Sequence, residues 1–126
     1  MPERPGTLPI LVVDDNEVNR KVAALFVQRL GFEAQVAGSG TEALSMVAGG
    51  AFALVLMDCQ MPEMDGYATA AAIRALDPAR RVPIVAVTAD ASPEVRARDV
   101  DGVMDDIIEK PIRLDELGDV IRRWVG

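Results

Sequence analysis

Apolar residues along this chain fall into two alternating patterns, short unbroken runs and longer stretches at helical spacing. The runs are Ile10-Leu11-Val12-Val13, Ala53-Leu54-Val55-Leu56-Met57, Pro83-Ile84-Val85-Ala86-Val87 and Ile107-Ile108. Unbroken aliphatic runs of this length predict strands buried on both faces, as in a parallel sheet. After Asp15, residues Val18, Val22, Leu25, Phe26 and Leu30 recur at helical spacing, and Gly31 follows as a C-terminal cap. Residues 32–36 read as a short extended segment. Ser39, with Glu42 three positions on, has the form of a capping box for a helix that ends at Gly49-Gly50.

The pattern continues with a strand over 52–57, a helix over 64–76 stopped by Asp77-Pro78, and a strand over 82–87. A weakly amphipathic helix over 91–101, a strand over 105–109 and a helix over 112–125 complete the chain. Leu114, Leu117, Val120, Ile121 and Trp124 form the expected inward face of that last helix. The sum is an α/β fold, (βα)5, with one doubly wound, five-stranded parallel sheet and right-handed crossovers. The 126 residues suit a single domain, here 8–126, with 1–7 expected to be a leader or linker remnant.

Each run ends in a group suited to phosphate or metal chemistry. The first stops at Asp14-Asp15, the second at Asp58, the third at Thr88 and the fourth, after Glu109, at Lys110-Pro111. In open α/β sheets the site lies at the carboxyl ends of the strands, so these groups are expected to meet at one edge. Taken singly each has a plainer reading. Asp14-Asp15 suits a helix cap, Lys110 an ion pair, and Thr88 an ordinary strand end. Together, three carboxylates make a hard oxygen site for Mg2+ beside a hydroxyl and an ammonium.

Composition narrows the choices. Half of the residues are hydrophobic but only 4% are aromatic, so the core must be aliphatic. A net charge of −7 repels phosphate backbones and argues against direct nucleic-acid binding. No run approaches the ~20 apolar residues needed to cross a bilayer, and no membrane contact by this domain is expected. Cys59 is the single cysteine, which excludes an internal disulfide; a cytoplasmic location is expected. The chain has no histidine, which excludes Ser-His-Asp catalysis, histidine-based zinc sites and histidine phosphorylation on this chain.

From Ile10 to Trp124 the sequence resembles the receiver domains of two-component response regulators. The segments that carry the resemblance are Val12-Val13-Asp14-Asp15-Asn16, Met57-Asp58-Cys59-Gln60-Met61-Pro62-Glu63-Met64-Asp65-Gly66, Ala86-Val87-Thr88-Ala89 and Lys110-Pro111. Asn16-Glu17-Val18-Asn19-Arg20 and 57–62 look most like receivers attached to hybrid histidine kinases. The resemblance implies a flavodoxin-like fold and phosphorelay signalling. It implies that Asp58 accepts a phosphoryl group from a phosphohistidine of a histidine kinase or histidine phosphotransfer protein, including one in the same hybrid chain. It also implies Mg2+ held by Asp14, Asp15, Asp58 and the backbone carbonyl of Gln60. Lys110 and Thr88 would contact phosphoryl oxygens, and Lys110-Pro111 would be cis. Such domains catalyse their own phosphorylation and a slow hydrolysis of the aspartyl phosphate.

Two positions depart from the family pattern. Ile107 stands where receivers usually carry tyrosine or phenylalanine, which puts the threonine-to-aromatic relay in doubt. Val103 stands where hybrid receivers commonly have glycine, with Gly102 one place earlier. The alternative of a phosphorylation-independent interaction module therefore stays open. A phosphatase of the haloacid-dehalogenase type would need an Asp-x-Asp motif at the first strand. A flavodoxin-like nucleotide binder would need a glycine-rich loop there. The chain has Asp14-Asp15-Asn16 instead. Asn16 and Arg20 mark the first helix as the expected partner contact.

Overall fold

The computed structural model describes residues 8–59, 66–76, 82–89, 92–97 and 102–125. Five strands alternate with helices: β1 Ile10–Val13, α1 Glu17–Arg29, β2 Ala34–Ala37, α2 Gly40–Gly49, β3 Leu54–Asp58, α3 Gly66–Leu76, β4 Ile84–Thr88, α4 Pro93–Arg96, β5 Asp106–Glu109 and α5 Leu114–Val125. The sheet has the order β2-β1-β3-β4-β5, and every pairing is parallel. This is the flavodoxin-like order, in which the chain changes direction between β1 and β3.

Alternation along the strands divides the core into two layers. Ile10, Val12, Leu54, Leu56, Val85, Val87 and Ile108 pack with α1 and α5 through Ala23, Val27, Leu117, Val120 and Ile121. Leu11, Val13, Val55, Met57 and Ile84 pack with α2 and α3 through Ala43, Ala70 and Ile73. Both faces of the central strands are thus buried, which is why their sequences are unbroken apolar runs.

The helix ends follow the sequence signals. Gly31, at φ +95°, closes α1 in a Schellman arrangement, its amide donating to the Gln28 carbonyl at 3.0 Å and that of Phe32 to Val27 at 3.2 Å. The Ser39 hydroxyl accepts from the Glu42 amide at 3.1 Å, while the Glu42 carboxylate reaches back to the Gly38 amide at 2.7 Å. The helix expected over 91–101 is described as α4 over Pro93–Arg96, with 91 and 98–101 outside the described residues.

Two helix faces differ from the sequence reading. In α1, Ala23 and Val27 are buried, whereas Val18, Val22 and Leu25 are 68%, 41% and 58% exposed. Phe26 and Leu30, read at the same helical spacing, do pack against the core beside Ala23 and Val27, so α1 meets the sheet along that side and leaves the other three outside. In α5, Trp124 is exposed rather than inward. Its indole N–H donates to Asp106 Oδ2 at 2.9 Å, a partner that the apolar core does not offer.

The start of β5 is held from both sides. Asp105 Oδ2 accepts from Arg74 Nη2 of α3 at 2.5 Å and from the Ile84 amide at 2.8 Å. Arg74 also donates to the carbonyls of Val82 and Val103. Asp106 Oδ2 accepts from Arg123 at 2.5 Å as well as from Trp124, and its Oδ1 from the Ile107 amide at 2.9 Å. Burial pushes the Asp106 carboxyl upward, but bonds from Trp124, the Ile107 amide and Arg123 outweigh it and hold the group below the usual carboxylate range. A carboxyl depressed on folding contributes stability above its unfolded value, lost as the pH falls through the folded one. We expect Asp106→Asn to remove part of the stability near neutral pH and to flatten the fall in stability below about pH 4. Urea melts between pH 2.5 and 7 would check this; an unchanged acid limb would count against the assignment.

Candidate functional site

The sheet gathers its polar strand ends along one edge. Asp14 follows β1, Asp58 ends β3, Thr88 ends β4 and Lys110 follows β5. The main chain locks these ends together, with the Lys110 amide donating to the Thr88 carbonyl at 2.7 Å, Cys59 to Val87 at 3.0 Å and Asp14 to Ala37 at 3.2 Å. Asp58, Asp14 and Thr88 are buried, while Asp15 is exposed. Carboxylate oxygens of Asp14, Asp15 and Asp58 lie within 4.8 Å of one another.

Lys110 reaches into this cluster. Its Nζ donates to Asp58 Oδ1 at 3.2 Å and stands 3.9 Å from Asp14 Oδ2. One ammonium faces three carboxylates, so the cluster keeps an excess of negative charge. Burial pushes the Asp14 carboxyl above its ordinary range and the Asp58 charge adds to this, while the Asn16 amide and Lys110 pull the other way. Hard oxygen donors with excess negative charge fit a small divalent cation such as Mg2+. Lys110-Pro111 is a cis peptide, as expected.

The five side chains singled out in the sequence therefore share one edge, at β1 and β3 where the sheet order reverses. Gln60, expected to offer a backbone carbonyl, lies outside the described residues. A groove of about 570 Å3, lined by Val47, Gly49, Gly50, Phe52, Ile73 and Val82 among others, lies away from this chemistry.

The sequence reading missed two residues at the site. Gly66 falls within the helix expected over 64–76 and was given no role at the site, but its Cα faces the end of β3. A Cβ there would stand 2.6 Å from the Asp58 carbonyl oxygen and 2.9 Å from Cys59 Cα. Arg20 was read as part of a partner surface, but its Nη1 donates to the Asp14 carbonyl at 3.0 Å. Asp65-Gly66 and Asn19-Arg20 are visible in the sequence, yet both roles depend on approaches between separate elements.

Over residues 10–122 the sequence matches the response regulator receiver domain. The chain belongs to this family. Among curated relatives it is 38% identical over 117 residues to the hybrid signal transduction protein dokA of Dictyostelium discoideum, covering 92% of this chain and 7% of that protein. It is 40% identical over 108 residues to the sensor histidine kinase RcsC of Salmonella typhi, covering 86% of this chain and 11% of that protein. The receiver thus spans only a small part of these relatives' length.

Solved structures agree with the fold. The receiver domain of the sensor histidine kinase PA1611 from Pseudomonas aeruginosa PAO1 is 35% identical with a TM-score of 0.87, covering 96% of this chain and 99% of that one. That structure has a magnesium ion coordinated in its active-site cleft. The receiver domain of the histidine kinase CKI1 from Arabidopsis thaliana, complexed with Mg2+, is 36% identical with a TM-score of 0.82, covering 92% and 90%. The chain is therefore a receiver of two-component and phosphorelay signalling, of the kind found within hybrid histidine kinases.

The contact at Gly66 gives a test of the site's construction. Its φ is not positive, so backbone conformation alone would accept alanine, and helix propensity would favour it by up to ~1 kcal/mol. The clash with the Asp58 main chain reverses that sign. Gly66→Ala is expected to destabilise the receiver by about 1–3 kcal/mol and to lower its phosphorylation rate. Denaturant melts and acyl-phosphate labelling would show both, and a stabilised variant would refute the contact.

Proposed function

We propose that Asp58 is the phosphoacceptor of this receiver and that Asp14, Asp15 and Asp58 hold the Mg2+ on which transfer depends. The observation that carries this reading is Lys110 Nζ 3.2 Å from Asp58 within a three-carboxylate cluster. The magnesium-bound receivers of PA1611 and CKI1 support the choice of metal. The Gln60 carbonyl completes the proposed ligand set.

In the reaction, an Asp58 carboxylate oxygen bonds to phosphorus as the P–N bond of a phosphohistidine breaks, and that bond's electron pair returns to the imidazole. Bound Mg2+ supplies neutralisation of the phosphoryl oxygens, which phosphoryl transfer needs more than covalent help. Lys110 already holds the acceptor in place and moves its charge to a phosphoryl oxygen. The Thr88 hydroxyl donates to another. The donor is a histidine kinase or histidine phosphotransfer protein, including one within a hybrid chain, since the relatives are hybrid kinases. No helix among the described residues is long and apolar enough to cross a membrane. A cytoplasmic setting suits a chain with one cysteine.

A small acyl phosphate with Mg2+ is expected to add one phosphate to the wild-type chain and none to Asp58→Asn, which should stay folded. Removing one of three like charges relieves repulsion. Equal labelling of Asp58→Asn, measured by intact mass, would show that the acceptor is misassigned.

The donor must bring its imidazole to the edge where Asp58 is buried, and the first turns of α1 flank that edge. Val18, Val22 and Leu25 make an exposed apolar stripe there. With Ile107 in place of an aromatic residue, coupling through β5 lacks a ring with a hydroxyl tip, which favours α1 as the contact. Val22→Glu or Leu25→Glu is expected to slow transfer from a phosphohistidine donor at least tenfold, roughly the loss of a 1.4 kcal/mol contact. Labelling by acyl phosphate should not change. An equal loss with both donors would place the effect in the site, not in docking.

A further inference from the structure

The turn that carries Asp14 and Asp15 is held at two points. The Asn16 amide donates to Asp14 Oδ1 at 2.9 Å, and the Asn16 side chain caps α1 by accepting from the Asn19 amide at 3.0 Å. From one turn further along α1, Arg20 Nη1 donates to the Asp14 carbonyl at 3.0 Å. Fixing that carbonyl fixes the peptide plane that leads into Asp15, the exposed member of the carboxylate cluster.

The guanidinium is itself seated. A Cβ on Gly38, just past β2, would stand 3.0 Å from Arg20 Nη1 and 3.8 Å from its Cζ. Gly38 is not among the glycines at positive φ, so its backbone does not require glycine. A side chain there would instead press on Arg20 Nη1, which would have to shift by a few tenths of an ångström away from its present position. Gly38 is held in turn by its amide bond to Glu42 Oε1 at 2.7 Å. We propose that Arg20 is a positioning residue for the metal-binding carboxylates, with Gly38 as its seat; the inference rests on the Mg2+ site proposed above.

Charge and positioning have opposite signs here, which makes the role testable. A cation beside a dication site opposes metal binding, so if Arg20 acted only as a charge, its removal would tighten Mg2+. If it positions the ligands, removal weakens Mg2+, because ligand groups need outer partners to hold their geometry. Titration calorimetry of the metal-free full chain with MgCl2 separates the two. Arg20→Ala and Gly38→Ala are each expected to weaken Mg2+ on the order of threefold to tenfold. Arg20→Lys should recover part of the affinity, and the double variant should be no weaker than Arg20→Ala, since both changes break one contact.

Equal or tighter binding by Arg20→Ala would overturn the proposal. Unchanged affinity in Gly38→Ala, or additive losses in the double variant, would also overturn it. If the wild type itself takes up no Mg2+, the metal reading falls and this inference with it. If the wild type binds and Arg20→Ala binds equally well, only the Arg20 assignment falls.

Discussion

The contact between Lys110 and Asp58, 3.2 Å long, holds together a cluster that would otherwise repel itself. Asp14 and Asp58 sit at the ends of strands whose other residues are buried aliphatics, where an uncompensated carboxylate is costly. One ammonium compensates part of that cost and leaves the rest as an unmet demand for positive charge. The sheet makes this possible. Parallel pairing brings the carboxyl ends of β1, β3, β4 and β5 to one edge, and the aliphatic layers on both faces keep them there. Stability given up at that edge is recovered in the core, the usual arrangement where a functional site stores strain.

Most of this architecture was legible in the sequence, because the core is aliphatic and the strands run through both layers. Ile10 to Val13 and Leu54 to Met57 have no polar interruption, and the aspartates that end these runs meet in one carboxylate cluster. The helix boundaries marked by Ser39 and Gly31 followed from local capping chemistry, which depends only on neighbours in the chain. Asp14, Asp15, Asp58, Thr88 and Lys110 were found because strand ends meet at a known edge of such sheets.

What escaped the sequence depends on approaches between elements. Gly66 looks like any helix-start glycine until α3 is placed against the Asp58 main chain. Arg20 looks like a surface charge until α1 turns it back onto β1. Periodicity located the inward face of α5 at Leu117, Val120 and Ile121 and part of that of α1 at Phe26 and Leu30, but it also counted residues that the structure leaves outside. Val18, Val22 and Leu25 were left outside, and Trp124 was drawn to a carboxylate at the start of β5. For Trp124 a polar atom on the ring decided the outcome, not hydrophobicity.

The paired aspartates at the foot of β5 bear on how the sheet ends. β5 is an outer strand of only four residues, the kind of edge that can peel away or accept a strand from another chain. Asp105 is tied to α3 through Arg74 and Asp106 to α5 through Arg123 and Trp124, so the strand is pinned to elements on both sides. A one-residue slip would exchange the two carboxylates between layers and leave each facing the wrong helix. The two ion pairs thereby act as a register key. They keep this outer strand aligned, and with it the lysine that β5 delivers to Asp58.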